Sequence, residues 1–303
     1  MEKPNTAVTV AVVIVTYNGI KWVDKCLGSI RQSQYPVATI VIDNGSTDGT
    51  AEKIAATYPE VKLISPNQNL GFGGANNIGM RTALEEGFDY VFLLNQDAWL
   101  ENDTIGRLVE VAVANTAFGI VSPIHVNGAN TALDLNLSYN MSPDKCPGLF
   151  SDIYYRTLKP IYEIEFVNAA AWLISAACIN KVGYFDPIFF LYGEDNNYLQ
   201  RTKFHGFKIG ITPFCQICHD REIRKGAPNK TGIKREHRTL TLITLLNIQQ
   251  SFPKCLAKFV WIRVNGLLRS IYKRNGQQFK AQFIETGYAV WNMGKLLKAR
   301  RKY

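Results

Sequence analysis

"VTVAVVIVTY" (8–17) decides the fold. It is apolar almost without a break and rich in Val and Ile. Such a run reads as a strand covered on both faces, as in a parallel sheet. An amphipathic stretch follows at 21–34, then a second strand, "ATIVIDN" (38–44), which ends on an acid. "STDGTAEKIAATY" supplies a cap and a helix. "VKLIS" (61–65) reads as a third strand, and a Gly- and Asn-rich turn leads from it to a helix ending near Gly87. "YVFLLN" (90–95) is a fourth strand, and 101–115 another helix. Strand and helix alternate four times, which is the α/β pattern. Ligands of such sheets bind at the carboxyl ends of the strands.

Beyond this half the alternation fades. Residues 123–165 are rich in Asn, Pro, Ser and Tyr and read as loops and short edge strands. "EFVNAAAWLIS" (165–175) reads as another buried strand. "FFLYGEDNNYLQRTKFHGFKIGIT" (189–212) reads as a turn, a helix from about Glu194, and a strand. After 230 the pattern is helical, with Lys and Arg throughout. The expected organisation is an α/β unit over 1–229, with one half at about 8–100 and a second at about 101–229. A basic, amphipathic helical region fills 230–303.

Composition sets further bounds. Apolar residues make up 47% and charged residues 19% of the 303, as in a chain with a real core. No apolar run reaches the roughly 20 residues of a spanning helix. "MEKPNTAVTV" lacks the basic start and small-residue cleavage site of an export signal. Six scattered cysteines in a chain of this length suit a reducing cytoplasm better than a disulfide framework. Charge is unevenly placed. Residues 221–303 carry 19 Lys and Arg against 3 Asp and Glu, while residues 1–220 carry 15 against 22. A basic tail on an acidic body points to an anionic partner, lipid headgroups or nucleic acid.

The strand ends hold the candidate chemistry: Thr16, Tyr17 and Asn18; the run Asp43 to Asp48; "NQNLGFGGANN" (67–77); and Asn95, Gln96 and Asp97. All open onto one rim. One strand-end acid is often only a helix cap, but two with Asn and Gly between them form a polar pocket able to hold a nucleotide. Asp43 can accept hydrogen bonds from a base or ribose. Asp97 is a hard oxygen ligand suited to Mg²⁺ or Mn²⁺ on a diphosphate. The glycines at 71–74 let backbone approach a ligand closely. Asp48 suits loop bracing.

"VTYNG" (15–19), "IDNGSTDGT" (42–50), "NQNLGFGGANNIG" (67–79), "LLNQDAWL" (93–100), "YGEDNNYLQR" (192–201) and His219 occur in order and spacing. On these, the chain resembles the family 2 glycosyltransferases of the GT-A fold, in particular the bacterial rhamnosyltransferase-like members, over about residues 8–250. The resemblance implies an inverting, metal-dependent transfer of a sugar from a nucleotide-diphosphate sugar to an acceptor hydroxyl. It implies that Thr16, Tyr17, Asn18 and Asp43 line the nucleotide pocket. The segment carrying Asn69, Gly74 and Asn77 would lie beside the nucleotide sugar, with Asn95 and Gln96 at the donor site. Asp97 matches the last acid of the DxD metal motif, whose first acid is Asn95 here. Asp195, beside Glu194, matches the catalytic base, and His219 the histidine that reaches the metal or the diphosphate. The subgroup leans toward dTDP-rhamnose, while other members use UDP or GDP donors. The implied acceptor is a saccharide or lipid-linked saccharide in surface polysaccharide synthesis.

Other readings fare worse. "CQICH" (215–219) spells a haem attachment signature, but such attachment needs export. Neither does a second CxxC complete a zinc site. Gly71, Gly73 and Asn76 break the GxGxxG pattern, and the segment follows the third strand instead of the first. A glycosidase would use two carboxylates but has no need of the nucleotide-type rim. The rival from another class is a nucleic-acid-binding protein using the basic tail. It predicts basic or aromatic residues on a sheet face, whereas acids gather at the strand ends, so no nucleic-acid partner is expected.

Residues 255–274 place Leu256, Phe259, Val260, Val264, Leu267, Leu268 and Ile271 at spacings of three and four, one apolar helix face. Lys258, Arg263, Arg269, Lys273 and Arg274 lie beside or opposite it. Such a face either packs on the catalytic unit or lies on an anionic membrane. In the second case each Lys or Arg near the surface contributes about 1 kcal/mol. The expectation is a cytoplasmic enzyme held peripherally on the inner face of the plasma membrane.

Overall fold

The computed structural model describes residues 8–221 and 230–302. The stretch 1–7, read as lacking an export signal, and the join expected at 229 lie outside them. The first half runs β1 (Val10–Thr16), α1 (Val23–Arg31), β2 (Ala38–Asp43), α2 (Thr50–Thr57), β3 (Lys62–Ile64), α3 (Gly71–Glu85), β4 (Tyr90–Asn95), β5 (Ala98–Leu100) and α4 (Thr104–Ala114). The second continues β6 (Phe118–Asn127), α5 (Leu135–Asn140), α6 (Leu149–Tyr155), β7 (Tyr162–Glu163), β8 (Ala171–Ser175), α7 (Ala176–Val182), α8 (Glu194–Phe204) and β9 (Lys208–His219). Four helices close the chain: α9 (Lys230–Leu245), α10 (Phe252–Tyr272), α11 (Gly276–Trp291) and α12 (Met293–Arg300).

One mixed sheet runs in the order β3-β2-β1-β4-β8-β6-β9-β5, with β7 also on β9. β1 pairs in parallel with β2 and β4, and β2 with β3. β8 is antiparallel to β4 and β6, while β6 and β9 are parallel. The unbroken apolar run of β1 has its reason in the packing. Ala11 and Val13 enter the core on one face, together with Met80 and Ala83 of α3. Val10, Val12 and Ile14 enter the core on the other, with Leu27 of α1 and Ile54 of α2. A strand buried on both faces has no position for a polar residue until its end.

Three expectations are corrected here. The stretch 123–165 holds more than loops and edge strands: β6 runs through Pro123, and α5 and α6 follow. Its pairing with β9 shifts register between Pro123 and Ile124, so the proline, which cannot donate to a ladder, sits at an irregularity. The strand read as ending at 212 runs on to His219 as β9, so Cys215 and Cys218 lie within it, and all six cysteines are free thiols. The segment from Gly71 is not a turn but the opening of α3.

The glycines of that segment make room for the protein's own chain. Gly71 has φ +73°, and a Cβ there would overlap the Phe190 carbonyl oxygen, which accepts a hydrogen bond from Phe72 N at 3.2 Å. A Cβ on Gly73 would lie 2.9 Å from the Phe185 Cβ. The close approach expected of a ligand is made by residues 185–190, which leads directly to α8.

The C-terminal helices also depart from the pattern read in sequence. Of the seven apolar residues at 256–271, only Phe259 is buried; Leu267 is half-buried and the other five are exposed. Arg263, counted with the outer charges, is the residue turned inward, 3% exposed. Phe259 joins Leu242, Leu245, Ala289 and Leu296 in a small core that also takes in Phe189. The C-terminal helices thus pack against the segment that precedes α8.

Candidate functional site

The carboxyl ends of β1, β2 and β4 meet in hydrogen bonds. At the end of β2, Asp43 is 3% exposed, accepting from Thr16 Oγ1 at 3.0 Å and from Ser46 N at 3.1 Å. Asn18 takes a positive φ of 48° and accepts from Thr47 N at 2.8 Å, while its own N–H donates to Ser46 Oγ. Asp48 accepts from Ile20 N and Thr50 N, the loop bracing read in the sequence. Tyr17 stays exposed at the rim.

Several amides expected to face a ligand are occupied by main chain. Gln96 accepts from Tyr17 N at 2.9 Å and donates to Tyr17 O at 3.2 Å, tying β1 to the turn after β4. Asn77 accepts from Phe185 N and donates to Phe185 O, so both ends of its amide are used. Asn69 Oδ1 accepts from Gly71 N and from Asn44 Nδ2. Gly74 lies in the first turns of α3, where a Cβ would stand 3.1 Å from the Leu70 Cβ. Asn44, which the motif reading did not single out as a site residue, donates to Gly71 O and accepts from Leu70 N, anchoring the start of α3. Its place after the strand-end acid was the one available signal.

Asp97 stands in the two-residue turn between β4 and β5. The turn reverses the chain so that β5 pairs with β9, Ala98 opposite His219 and Trp99 opposite Cys218. This register brings His219 Nε2 to 3.4 Å from Asp97 Oδ1 and 3.5 Å from Asn95 Nδ2. The His219 ring is 3% exposed, and its Nδ1 has no hydrogen-bond partner; the nearest acid is Asp134, at 3.7 Å. A buried, unpaired imidazole nitrogen costs free energy unless something completes the site. One carboxylate and one imidazole are donors that Mn²⁺ accepts readily, and Mg²⁺ suits the carboxylate alone. Among the described residues, no three His, Cys, Asp or Glu are arranged so that they alone could hold a metal ion. Asp97, His219 and the neutral Asn95 therefore fit such an ion only with oxygens supplied by a ligand.

On the other side of the rim, α8 is capped by Gly193, which has φ +93° and follows Tyr192 at φ +72°. Glu194 is 5% exposed, and its Oε2 has no partner. Burial first, and the Asp195 charge second, push its pKa up to about 8. Asp195 is half-buried, and burial raises its pKa too, opposed by hydrogen bonds from Asn196 N at 2.7 Å and Asn196 Nδ2. Glu194 is thus held toward its neutral form inside, while the Asn196 hydrogen bonds work against the effect of burial at Asp195. Farther along α8, Arg201 is fully buried and donates to Asn197 Oδ1 and to the carbonyls of Val182 and Tyr184, fixing the helix to the chain before it.

The family model described as glycosyl transferase family 2 matches residues 11–169. Among curated proteins, the chain is 24% identical over 259 residues to an N-acetylglucosaminyl-diphospho-decaprenol L-rhamnosyltransferase of Mycobacterium tuberculosis, covering 75% of this chain and 81% of that one. It is 24% identical over 241 residues to the dTDP-rhamnosyl transferase RfbF of Shigella flexneri, covering 77% and 78%. Among solved structures, Staphylococcus aureus TarS 1–349 in complex with UDP-GlcNAc superposes with TM-score 0.58 at 17% identity, over 90% of this chain and 79% of that one. GalNAc-T7 with UDP, GalNAc and Mn²⁺ gives TM-score 0.61 at 16% identity, over 79% and 48%. The chain spans about half the length of GalNAc-T7 and 45% of the longer TarS chain. These structures share its fold.

Proposed function

Because the chain belongs to glycosyl transferase family 2, we propose that it is an inverting glycosyltransferase whose donor site is the rim formed by Asp43, Asp97 and His219. Its donor is a nucleotide-diphosphate sugar, with dTDP-rhamnose the first to test, since two relatives carry rhamnosyl transfer in their names. The acceptor is a lipid-linked saccharide of a surface polysaccharide, made on the cytoplasmic face of the membrane. The observation that carries this reading is the β5–β9 register, which sets His219 against Asp97 at the strand ends.

Roles follow from the positions. Asp43, held by Thr16, offers its remaining lone pairs to the base or ribose beside Tyr17 and Asn18. Asp97 and His219 are the residues that would hold a divalent cation, which when bound would neutralise charge growing on the leaving diphosphate. Asp195 takes the proton from the acceptor hydroxyl as its oxygen bonds to the anomeric carbon and the nucleoside diphosphate departs from the opposite face. Glu194, neutral beside it, leaves Asp195 as the one negative charge of the pair. Asn69, Asn77 and Gln96 act by shaping the walls through hydrogen bonds to main chain.

The test is a thermal-shift screen of nucleotide sugars with and without Mn²⁺, followed by transfer to a lipid-linked acceptor. A bound donor at a hundredfold excess over Kd adds about 2.7 kcal/mol of stability. No shift with any nucleotide sugar would overturn the reading. The nucleic-acid alternative has no support beyond the basic C-terminal charge.

A further inference from the structure

The helix α10 has three distinct sides. At about 100° per residue, Cys255, Phe259, Arg263 and Ser270 share one side, and all four are buried. Arg263 holds that side down: it donates to Gln282 Oε1 of α11 and Thr241 Oγ1 of α9, each at 2.7 Å. The next side carries Leu256, Val260, Val264 and Leu268, one per turn, with Trp261 and Ile271 beside them. All six are exposed, Trp261 to 66% and Leu268 to 59%. The third side carries Lys254, Lys258 and Arg269, also exposed. On α11, Phe283 is 63% and Trp291 90% exposed. An exposed apolar stripe of this length is unusual on a helix whose opposite side is already packed.

We propose that this outward stripe of α10 is a docking face for an anionic bilayer, with its basic border on the headgroups. Charge decides the occupant. Residues 251–303 carry 12 Lys and Arg and a single acid, Glu285, which is buried and paired with Arg238. The exposed surface of these helices therefore presents no carboxylate. A twofold pairing of two copies would lay the same basic borders against each other, whereas an anionic lipid surface neutralises them. Each engaged Lys or Arg strengthens such binding about fivefold. No helix among the described residues is long and apolar enough to cross a membrane, so docking is in the plane of the interface.

The face is coupled to the acceptor side. Thr239 Oγ1 of α9 donates to Tyr192 O, Ile243 O accepts from Gln200 Nε2 of α8, and Phe189 sits in the core of the C-terminal helices. The helix α9, to which Arg263 ties α10, thus buttresses the turn presenting Asp195. The inference deepens the lipid-linked-acceptor reading and rests on it for the acceptor's location. It assigns catalysis to 1–229 and attachment to 230–303.

The experiment is cosedimentation of the full chain with phosphatidylglycerol-containing vesicles and with pure phosphatidylcholine vesicles, without donor or acceptor. The expected result is binding to the first only, lost at high salt. It should fall at least about fivefold in Trp261→Ser/Val264→Ser, and in Lys254→Gln/Lys258→Gln/Arg269→Gln. Circular dichroism checks folding, and Leu268→Ser/Ile271→Ser replaces the first variant if that one fails to fold. The proposal is overturned if the full chain stays in the supernatant with anionic vesicles at low salt, or if the variants bind as the parent does. It is equally overturned if light scattering shows a dimer, broken by Trp261→Ser, in a chain that ignores vesicles. Donor binding and transfer are read separately, so failure here leaves the sugar-transfer reading standing.

Discussion

His219 Nε2 faces Asp97 Oδ1 at 3.4 Å because Ala98 and His219 are partners across β5 and β9, and the Asp220 N–H donates to the Asp97 carbonyl at 2.8 Å. Two segments more than a hundred residues apart are locked in register at the atoms proposed to hold the cation. Asp97→Asn keeps the turn but removes the charge. It should lower Mn²⁺ affinity in the presence of a nucleoside diphosphate, followed by electron paramagnetic resonance, and cut transfer by about a hundredfold or more. His219→Ala should weaken the metal by at least about tenfold. Unchanged Mn²⁺ affinity in both variants would remove the pair from the metal site.

The proposed base predicts a split between binding and chemistry. Asp195→Asn is nearly isosteric and can keep its contact with Asn196. The kcat should fall by about 10²–10⁴-fold, while the donor-induced thermal shift stays as in the parent. Loss of donor binding together with kcat would place Asp195 on the donor side instead.

Glu194 gives a pH dependence of stability. Its pKa in the folded chain is about 8, against an ordinary 4.5, because it is buried and faces Asp195. Over that window the folded state holds a proton that the unfolded state has released. The contribution is fully present below 4.5 and is lost as pH rises through about 8. Glu194→Gln cannot release the proton, so its urea midpoint should decline less than the parent's between pH 4.5 and about pH 8. Parallel declines in the two proteins would show that Glu194 does not titrate in this range.

The sheet was legible where burial leaves a simple mark. β1, β2 and β4 read as apolar runs because both faces are covered, and their polar ends followed from that. β6 was missed because Pro123 and the polar residues around it mask a strand whose register shift accommodates them. The start of α3 was missed because its glycines signal a turn. What they relieve is contact with Phe185 and Phe190, more than a hundred residues away. The same holds for the site. Asp43 and Asp97 could be named from the strand ends, and Asp195 and His219 from the family resemblance, but not the pairing of Ala98 with His219. Nor did Gln96 and Asn77 carry any local sign of main-chain partners. On α10, helical periodicity found an apolar side and could not say which way it faces. Arg263 sets that, through Thr241 and Gln282.

Gly71 and Gly45 separate two reasons for a glycine. Both have positive φ, but a Cβ on Gly45 would stand 3.5 Å from its nearest neighbour, whereas one on Gly71 would overlap the Phe190 carbonyl. Gly45→Ala should cost only the left-handed strain, about 1 kcal/mol. Gly71→Ala adds a steric clash and should cost about 3 kcal/mol or more. It should also disturb Phe190 and, through it, the turn before Asp195, so transfer falls in that variant alone. Denaturant melts and rates of the two variants check this, and equal effects would mean that the contact at Phe190 is not formed.

Arg263 is the last case, a buried cation with no carboxylate hydrogen-bonded to it. Burial lowers its pKa, and it is held by Gln282, Thr241 and the His237 carbonyl. Arg263→Ala removes the packing of the long stem and leaves Gln282 Oε1 buried without its donor, so it should cost about 3 kcal/mol. Thr241 loses less, since its hydroxyl already donates to the His237 carbonyl at 2.8 Å. Arg263→Met with Gln282→Leu fills the same volume with apolar atoms and removes the orphaned acceptor, so the double variant should regain most of the lost stability. Urea denaturation of the parent, Arg263→Ala and the double variant measures this. A double variant no more stable than Arg263→Ala would show that the arginine's hydrogen bonds, and not the filled space, orient α10 against α9 and α11.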